Sequence, residues 1–576
     1  MILFVAGSSG DIGVAERALR SLVERLPFFP GRPVETWSHP GGGSCVAWVA
    51  HGPEQTGGVE YVAAERERLA LFAGRPILWT GDREADGRAA IDPRRYLAGF
   101  SAEALDGRFA VVRAGAEGVE AVTDTVGAYP LYEAEAAGAR WISNNATLLR
   151  DMRGGGALDL DSLAGLIGGG WPLDGHPAWA GVRRVAFEEA SVRPGAGLDV
   201  ERAVALLTAA SRALADWPGR PQVVPLTAGR DSRLVLAAAL AAGNEFDANT
   251  GGNDDAPDVV TGRRLAELAR VRHSLIGEEG MWHDWRRGAE LIALMAGGTA
   301  SLADAAGFPL HAREGILPIW HSGQGGEVAR AYYGTGEGLD RAWLAGLLAD
   351  RHFLGRRPGR SGVLSADAQA VVRRQVEVWV AGQLDAGIAA ADVPDMFYLR
   401  RRMGTWAGTG HGCVEFVRDT TSPLWSARLL RDELGAPAPE RAREVFHRRV
   451  MEQLAPSLVD VPFEGGRGWP GERGAVARRA DRARALARKA LAEARRRAGV
   501  RGAYAGNGKE SDPFGPILAE IRDVVLSQPD HAAWPLLDRP RVERLLASDA
   551  ATLDAMSRYY AWRLATVFGG LRAAPR

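Results

Sequence analysis

Hydroxyl, glycine and carboxylate residues are concentrated in one short stretch, Leu226-Thr227-Ala228-Gly229-Arg230-Asp231-Ser232. It has the form S/T-x-G-x-D-S and lies between a predicted strand and a predicted helix. Small residues let a ligand approach the backbone, and successive N–H groups with the positive end of the helix can bind a phosphate. Thr227 and Ser232 add hydroxyl donors, and Asp231 can hold a Mg²⁺ that bridges phosphate oxygens. The alternative is a plain turn in which Asp231 or Ser232 caps the helix.

Two further strand ends favour phosphate binding over the plain turn. A second predicted strand ends in Thr250-Gly251-Gly252, and Asp258 follows at the start of a helix. A later strand ends at Trp320 and runs into His321-Ser322-Gly323-Gln324-Gly325-Gly326-Glu327. Ligands of parallel sheets bind at the carboxyl ends of the strands. The three strand ends would therefore present glycine, hydroxyl and carboxylate groups to one nucleotide.

The order of the predicted elements supports this placement. Strands are predicted over 222–227, 245–250, 272–276 and 316–320, and helices over 200–215, 231–242 and 257–269. Such alternation is typical of a parallel sheet with right-handed crossovers. Pro225 is a local misfit, because proline removes a backbone donor from what should be a central strand.

The preceding part of the chain has a different pattern. Short strands are predicted over 44–49, 108–112, 118–122 and 140–143, which indicates an antiparallel domain. Turn residues cluster over 192–197, and the chain beyond residue 342 is mostly helical in pattern. We therefore predict two domains, residues 1–198 and 199–576.

Composition excludes several classes of protein. The formal net charge of −1 gives no overall electrostatic case for nucleic acid or an anionic membrane. Cys45 and Cys413 are too far apart in sequence for a zinc ribbon or a CxxC redox pair. The N-terminus lacks a basic region, and no apolar stretch approaches the roughly 20 residues of a membrane span. We expect a cytoplasmic protein with neither a membrane nor a nucleic acid as partner.

Four further features of the sequence give weaker indications of function. The run Gly7-Ser8-Ser9-Gly10-Asp11-Ile12-Gly13 imitates a dinucleotide fingerprint, but its spacing and the antiparallel pattern around it argue against one. The glycines before Lys509 lack the pattern of a Walker loop. His273 is predicted to be a packed core residue. The segment 473–501, with eleven Lys or Arg against two acidic residues, is either a solvated helix or a docking surface for an acidic peptide or a partner protein.

Taken together, these residues resemble the asparagine-synthetase type of ATP pyrophosphatase. In that family S-G-G-x-D-S binds the pyrophosphate end of ATP, and S-G-E-G-S-D-E completes the site; residues 227–232 and 322–328 stand in these places. The runs Leu105-Asp106-Gly107-Arg108-Phe109-Ala110, Thr123 to Tyr132 and Ser143-Asn144-Asn145 resemble the family's glutamine-hydrolysing domain. The resemblance covers roughly residues 100 to 450. It implies an α+β N-terminal Ntn-hydrolase (glutaminase-like) sandwich and an α/β parallel-sheet ATP-pyrophosphatase (PP-loop) domain with a helical C-terminal part.

Departures from the family pattern narrow the expected reaction. Ile2 stands where glutaminases have their nucleophilic cysteine, so the reacting amine must already be part of a substrate. Gln324 and Glu327 replace a glutamate and an aspartate of the second loop. Members that make asparagine or a β-lactam carry a lysine after the last core helices, whereas residues 456–470 contain none. That pattern is similar to the lasso-peptide macrolactam synthetases.

The resemblance therefore implies an ATP-dependent lasso-peptide cyclase. Such an enzyme adenylates an Asp or Glu side chain of a precursor peptide and joins it to the N-terminal amine, releasing AMP and pyrophosphate. A β-lactam-synthetase-like or other small-molecule amide ligase is the alternative. A tRNA-modifying pyrophosphatase and an inactive scaffold are more distant ones. The implied partners are the precursor (core) peptide, a leader peptidase and a leader-binding protein.

The same resemblance implies which residues bind ATP and Mg²⁺. ATP and Mg²⁺ are the expected cofactors, with Asp231 and Glu327 as metal ligands and with Ser232 beside them in catalysis. The residues expected to bind ATP are Leu226, Thr227, Gly229, Asp231, Ser232, Thr250, Gly251, Asp258, Ser322, Gly323 and Gln324. Three residues are candidate general bases by region alone: His321, Glu415 and Asp419.

Overall fold

The computed structural model describes most of the chain. The described residues are 1–80, 86–101, 104–186, 199–276, 284–305, 311–336, 338–355, 362–463, 468–469, 487 and 514–571. Three of the sequence predictions fall outside them: the turn residues over 192–197, the basic segment 473–501, apart from residue 487, and the run before Lys509. The predicted domain boundary at residue 198 adjoins the undescribed range 187–198.

The described residues form sixteen strands, which are arranged in three sheets. In chain order they are β1 Ile2–Ser8, β2 Glu35–Ser38, β3 Ser44–Ala50, β4 Val62–Ala64, β5 Leu69–Trp79, β6 Gly87–Ala89, β7 Leu105–Gly115, β8 Gly118–Thr123, β9 Tyr132–Ala136, β10 Ala139–Ser143, β11 Val182–Arg184, β12 Gln222–Pro225, β13 Asp247–Gly251, β14 His273–Ile276, β15 Ile319–His321 and β16 Asp419–Thr421. The fold is thus mixed α/β, with antiparallel sheets followed by a parallel one.

Helices fill the intervals between strands and dominate the later half of the described chain. They are α1 Ile12–Arg25, α2 Pro53–Thr56, α3 Ala146–Met152, α4 Leu160–Gly169, α5 Val200–Ala215, α6 Asp231–Ala241, α7 Pro257–Ala269, α8 Trp285–Ala296, α9 Leu302–Ala305, α10 Arg341–Ala349, α11 Ala366–Asp385, α12 Val393–Phe397, α13 Gly408–Val414, α14 Ala427–Gly435, α15 Ala438–Arg441, α16 Val445–Leu454, α17 Phe514–Leu526, α18 Arg539–Leu546 and α19 Ala555–Ala565. Shorter 3₁₀ or π-helical turns cover Pro93–Tyr96, Val328–Arg330, Asp350–Leu354, Tyr398–Ala407, Pro423–Trp425, Pro456–Leu458, Trp534–Leu536, Ala550–Thr552 and Thr566–Gly570. In the part of the chain that the structure describes, no helix has the length and apolar character needed to cross a bilayer.

The two antiparallel sheets pack face to face. One has the strand order β11-β9-β10-β1-β3-β2, and the other has the order β4-β5-β7-β8 with β6 also paired to β5. The side chains of β1 alternate between two cores: Ile2 and Phe4 meet the second sheet, while Leu3 and Val5 pack toward α1. A strand buried on both faces reads as an unbroken apolar run, which is what the N-terminus shows.

The glycines of the dinucleotide-like run at 7–13 have a packing role. A Cβ at Gly7 or Gly10 would come within 2.5 or 2.3 Å of the Trp141 ring, so glycine leaves room for this buried indole. Both neighbours of β1 are antiparallel to it. The parallel β-α-β unit of a dinucleotide site is therefore not formed here.

The parallel sheet has the order β14-β13-β12-β15-β16, with β12 at its centre. The predicted strands in this region are confirmed, each within a few residues of its expected limits. Pro225 is tolerated because it is the last residue of β12, and β15 pairs only with Gln222 and Val223. The missing N–H of proline thus falls beyond the shared hydrogen bonds on that side.

His273 corrects one sequence prediction. It is half-buried rather than packed in the core, because β14 is an edge strand whose side chains are mostly exposed. Its Nε2 lies 3.0 Å from the hydroxyl of Thr250, one of the residues expected to bind ATP.

Candidate active site

The two predicted loops meet at the carboxyl ends of the adjacent strands β12 and β15. Glycine makes the contact possible on the side of the second loop. A Cβ at Gly323 would lie 2.7 Å from the backbone nitrogen of Ser232, and one at Gly326 would lie 2.5 Å from Asp231 Oδ1. Both distances are shorter than real Cβ contacts, so a side chain at position 323 would push the two backbones apart, and one at position 326 would displace the Asp231 carboxylate.

The first loop is closed by its own hydrogen bonds. Thr227 N–H donates to Ser232 Oγ at 3.2 Å, and Gly229 N–H donates to Thr227 Oγ1 at 3.1 Å. Ala228 N–H donates to Asp258 Oδ1 at 2.8 Å, which ties the start of α7 to the loop. Each of these three N–H groups thus already has an acceptor within the protein, with which a bound phosphate would have to compete.

The start of helix α6 offers donors instead. Arg230 is the N-cap residue of this helix, and no side chain among the described residues forms a capping hydrogen bond there. The alternative in which Asp231 or Ser232 caps the helix is therefore wrong. The first N–H groups of a helix have no intrahelical acceptor and lie at its positive end. The backbone of residues 231–233 is thus the part of this motif best suited to an anion.

Asp231 lies between two cationic or protonatable side chains. Its Oδ2 accepts from Arg330 Nη2 at 2.6 Å, and its Oδ1 lies 3.1 Å from His447 Nε2. Burial, the largest influence, raises the pKa of Asp231, but Arg330 and His447 together outweigh it and hold the pKa below its ordinary value. The carboxyl group is therefore ionised at neutral pH.

Glu327 is the second carboxylate at the loop contact. Its Oε2 accepts from the Tyr398 hydroxyl at 2.6 Å and from Gly325 N–H at 3.1 Å. Burial and the nearby charge of Asp231 raise the pKa of Glu327. The pKa of Asp231 is thus lowered and that of Glu327 is raised, as is typical of two carboxyl groups that lie close together and titrate as a coupled pair.

This donor set fits Mg²⁺ in type and in charge. Asp231 and Glu327 offer carboxylate oxygens on loops in contact, and Mg²⁺ is usually held by one or two carboxylates with phosphate oxygens and water. Among the described residues, no group of three or more His, Cys, Asp or Glu side chains is arranged to hold a metal ion. The remaining ligands would therefore have to come from a bound phosphate and from solvent.

Other residues that are predicted to bind ATP lie at the ends of strands β12 and β13. Thr250 Oγ1 donates to the carbonyl of Leu226 at 2.9 Å, and Leu226 N–H donates to Asn249 O at 2.7 Å. These bonds bring the ends of β12 and β13 together. Gly251 is exposed at the end of β13.

The second loop is held by the strand beside it. Ser322 N–H donates to Thr421 O at 2.7 Å, and Ser422 Oγ donates to Gln324 O at 2.9 Å. Gln324 N–H donates to Ser322 Oγ at 3.2 Å, while the side-chain Oε1 of Gln324 is buried without a partner among the described residues. The end of β16 therefore fixes the backbone of this loop.

The three candidate general bases lie in other surroundings. Glu415 forms a buried ion pair with Arg108, and Asp419 forms buried ion pairs with Arg75 and Arg220. His321 Nε2 lies 2.7 Å from Gln222 Oε1, and burial with the charge of Arg75 lowers the pKa of His321 to about 4. Glu415 and Asp419 hold β16 and α13 against the N-terminal sheets. The structure does not bring either of them to Asp231.

Several residues at this site were not predicted. Arg330 lies only three positions after Glu327 and could have been considered with that loop. Tyr398 and His447 come from distant helices, and no local pattern marks them. Glu433 is 1% exposed, and neither of its carboxyl oxygens has a partner among the described residues. Burial, followed by the charge of Asp231, raises the pKa of Glu433 well above its ordinary value.

A second ion pair joins the first loop to the helical region. Arg230 Nε lies 2.5 Å from Glu444 Oε2, and its guanidinium also stacks on the ring of Phe463 at 4.2 Å. Glu444 has a positive φ of 57°, which is uncommon outside glycine. Residues beyond α14 thus reach back to the helix start that is suited to an anion.

No protein-family model matches this chain, and no curated protein matches it.

Proposed function

We propose that this chain is an ATP-dependent, AMP-forming carbon–nitrogen ligase that closes a macrolactam in a ribosomal peptide. The observation that carries the proposal is the contact of the two loops, which sets Asp231 beside Glu327 at the carboxyl ends of two adjacent parallel strands. Such a position is where open parallel sheets bind their ligands. On this proposal the later part of the described chain is an ATP-pyrophosphatase (PP-loop) domain.

The proposed reaction has two steps. An oxygen of the peptide's Asp or Glu side chain attacks the α-phosphorus of ATP, the bond to the bridging oxygen breaks, and pyrophosphate leaves with that electron pair. The N-terminal amine then attacks the acyl carbon of the mixed anhydride, loses a proton and expels AMP. Asp231 and Glu327 would hold a Mg²⁺ that offsets the charge of the phosphates, and the start of α6 would bind a phosphoryl oxygen.

The structure of the N-terminal half supports a reaction in which the amine is already part of the substrate. Two antiparallel sheets face each other, and α1 packs on the outer face of the first. This layering fits the proposed glutaminase-like sandwich. Ile2 is fully buried in β1 and offers no nucleophile, so the proposal assigns this half a structural role rather than ammonia production.

The lysine content supports a cyclase over the related ligases that use a lysine after the last core helices. The only lysines of the chain, Lys489 and Lys509, lie outside the described residues, and residues 456–470 contain none. The alternative is a small-molecule amide ligase. It predicts that a small amino acid, rather than a peptide, stimulates pyrophosphate release.

Exchange of labelled pyrophosphate into ATP tests the proposal. The full chain is assayed with Mg²⁺ and a linear core peptide, alongside Asp231→Asn and the control Asp247→Asn, whose exposed carboxylate pairs with Arg272 at the edge of the sheet. We expect exchange in wild type and control and a loss of at least about 100-fold in Asp231→Asn. Mass spectrometry should show ATP-dependent loss of one water from the peptide. Equal background exchange in all three proteins would favour a scaffold.

A further inference from the structure

Arg330 lies at the point where the two loops meet, and its side chain is held toward the inside of the protein. It ends the short turn Val328–Arg330 that follows Glu327, and its side chain is only 12% exposed. The next residue, Ala331, has φ 43°, and Tyr332 N–H returns to Glu327 O at 3.2 Å. The turn is therefore closed on itself, and it directs the guanidinium to Asp231 at 2.6 Å.

The guanidinium of Arg330 has donor capacity that the described residues do not use. Its Nη2 donates to Asp231, whereas its buried Nε has no hydrogen-bond partner among the described residues. An unpaired buried donor is costly, and an arginine cannot avoid the cost by losing its proton. The carboxylates of Asp231, Glu327 and Glu444 raise the pKa of Arg330 in spite of burial. The charge is thus permanent and only partly matched by hydrogen bonds.

The outer side of the same guanidinium faces an exposed ring. Its carbon lies 4.9 Å from the ring centre of Tyr332, and that ring is 52% exposed. Arg351 lies 5.5 Å from the same ring. Arg330 therefore lies between the buried carboxylates and the surface, where a ligand that enters the site would meet it.

We propose that Arg330 binds a phosphate oxygen of the nucleotide, and that in the nucleotide-free protein it occupies Asp231 in place of the metal ion. This inference rests on the proposed function, because it assumes that a nucleotide with Mg²⁺ binds here. A divalent cation on Asp231 and the guanidinium of Arg330 are both positive, so they compete for one carboxylate. A phosphate gives the displaced guanidinium a new acceptor, and guanidinium and phosphate geometries match.

The competition predicts opposite effects on two binding constants. Without nucleotide, neutralising Arg330 removes the competitor and should strengthen binding of the metal. With nucleotide, the same change removes a phosphate contact and should weaken binding of the metal–nucleotide complex. An arginine that only stabilised the loops would weaken both when replaced.

The experiment measures equilibrium binding rather than turnover. Mn²⁺, which can be followed by electron paramagnetic resonance, is titrated alone, and MnATP is titrated by calorimetry, on wild type, Arg330→Gln and Arg330→Lys. We expect Arg330→Gln to bind free Mn²⁺ several-fold more tightly and MnATP at least tenfold more weakly, with Arg330→Lys in between. Melting curves check that each variant is folded, and the lysine variant keeps the test available if the glutamine variant is not.

The outcomes separate the two proposals. If wild type binds no MnATP, the proposed function fails. If wild type binds MnATP but Arg330→Gln binds it equally well, or loses affinity for free Mn²⁺ as well, the assignment of Arg330 is wrong while the proposed function stands.

Discussion

Asp106, on strand β7 of the N-terminal half, caps helix α14 through the backbone of Ala427. Asp106 Oδ1 accepts from Ala427 N–H at 2.8 Å, and Oδ2 accepts from the Ser426 hydroxyl at 2.6 Å. The same helix carries Glu433, whose acidity responds to Asp231. The antiparallel part of the molecule thus fixes an element that borders the candidate site.

We expect Asp106→Ala to destabilise the whole protein. The carboxylate is buried and also accepts from Trp79 Nε1 at 3.1 Å, so its removal leaves several buried donors unpaired. The loss should be about 3 kcal/mol in the free energy of unfolding, measured by urea denaturation. Asp159→Ala is the matched control, because Asp159 caps α4 through a single bond to Ser162 N–H, and it should cost about 1 kcal/mol. Equal losses in the two variants would contradict this role of Asp106.

Gly326→Ala should reduce pyrophosphate exchange about 100-fold while the protein stays folded. The new methyl group would lie 2.5 Å from Asp231 Oδ1, so either the carboxylate must turn away or the two loops must separate, and both changes displace Asp231 from its partners. Misplacement of this size at a reaction centre typically costs about 100-fold in rate. Gly382→Ala, in the exposed part of α11 where no atom lies within 4 Å of the added carbon, should keep full exchange and gain about 0.5–1 kcal/mol of stability. Full exchange in Gly326→Ala would show that the loop contact is not needed.

The elements around the two loops could be predicted because their signals are local. Alternating apolar strands and helices are visible in any short window, and helices α5 and α7 occur within the predicted limits. Strand β5 gives no such signal, because Gly74, Arg75 and Pro76 interrupt its apolar run. Arg75 is nevertheless almost fully buried, since its charge is paired with Asp419, a residue more than 300 positions away in the sequence.

The partners of the site residues could not be predicted for the same reason. Asp231 and Glu327 were identified from their loops, but Tyr398 and His447 reach them from helices that follow much later in the chain. A hydrogen bond of this kind depends on tertiary packing and leaves no periodic pattern. The hydrogen bonds that close the first loop could not be predicted either, because a motif of residue types does not specify which N–H group meets which acceptor.

Tyr398→Phe should raise the Mg²⁺ concentration needed for half-maximal exchange. The Tyr398 hydroxyl donates to Glu327 Oε2 at 2.6 Å and stabilises the ionised form of Glu327. Burial and the charge of Asp231 already raise the pKa of this carboxyl group. Without that donor the pKa rises further, and a protonated carboxyl group is a poor metal ligand. A hydrogen bond to a charged group contributes about 1.5–3 kcal/mol, so a shift of about tenfold or more is expected. This shift in the Mg²⁺ concentration should become smaller as the pH of the assay is increased, because Glu327 is then ionised without the help of the hydroxyl.

Tyr333→Phe serves as the control for that measurement. The Tyr333 ring stacks on Tyr398 with centroids 5.1 Å apart, so the substitution keeps the packing and removes a hydroxyl from the neighbouring ring. Its Mg²⁺ dependence should match wild type. A similar shift in both variants would mean that ring packing, rather than the bond to Glu327, sets the affinity for the metal.

His321 should make the protein less stable in mild acid. Its pKa is lowered from its ordinary value near 6.5 to about 4 by burial and by the charge of Arg75. The unfolded chain therefore takes up a proton at this residue below about pH 6.5, whereas the folded protein does so only near pH 4. The contribution to stability is complete above the pKa of the unfolded chain and is lost as the pH falls.

Between pH 7 and pH 5 this difference in proton uptake lowers the free energy of unfolding by about 2 kcal/mol. Urea denaturation at these two pH values should show a correspondingly smaller loss for His321→Gln than for wild type. His311→Gln, at an exposed position, should lose as much as wild type. Parallel losses in all three proteins would show that other groups, such as the buried His51 and His411, dominate the response to acid.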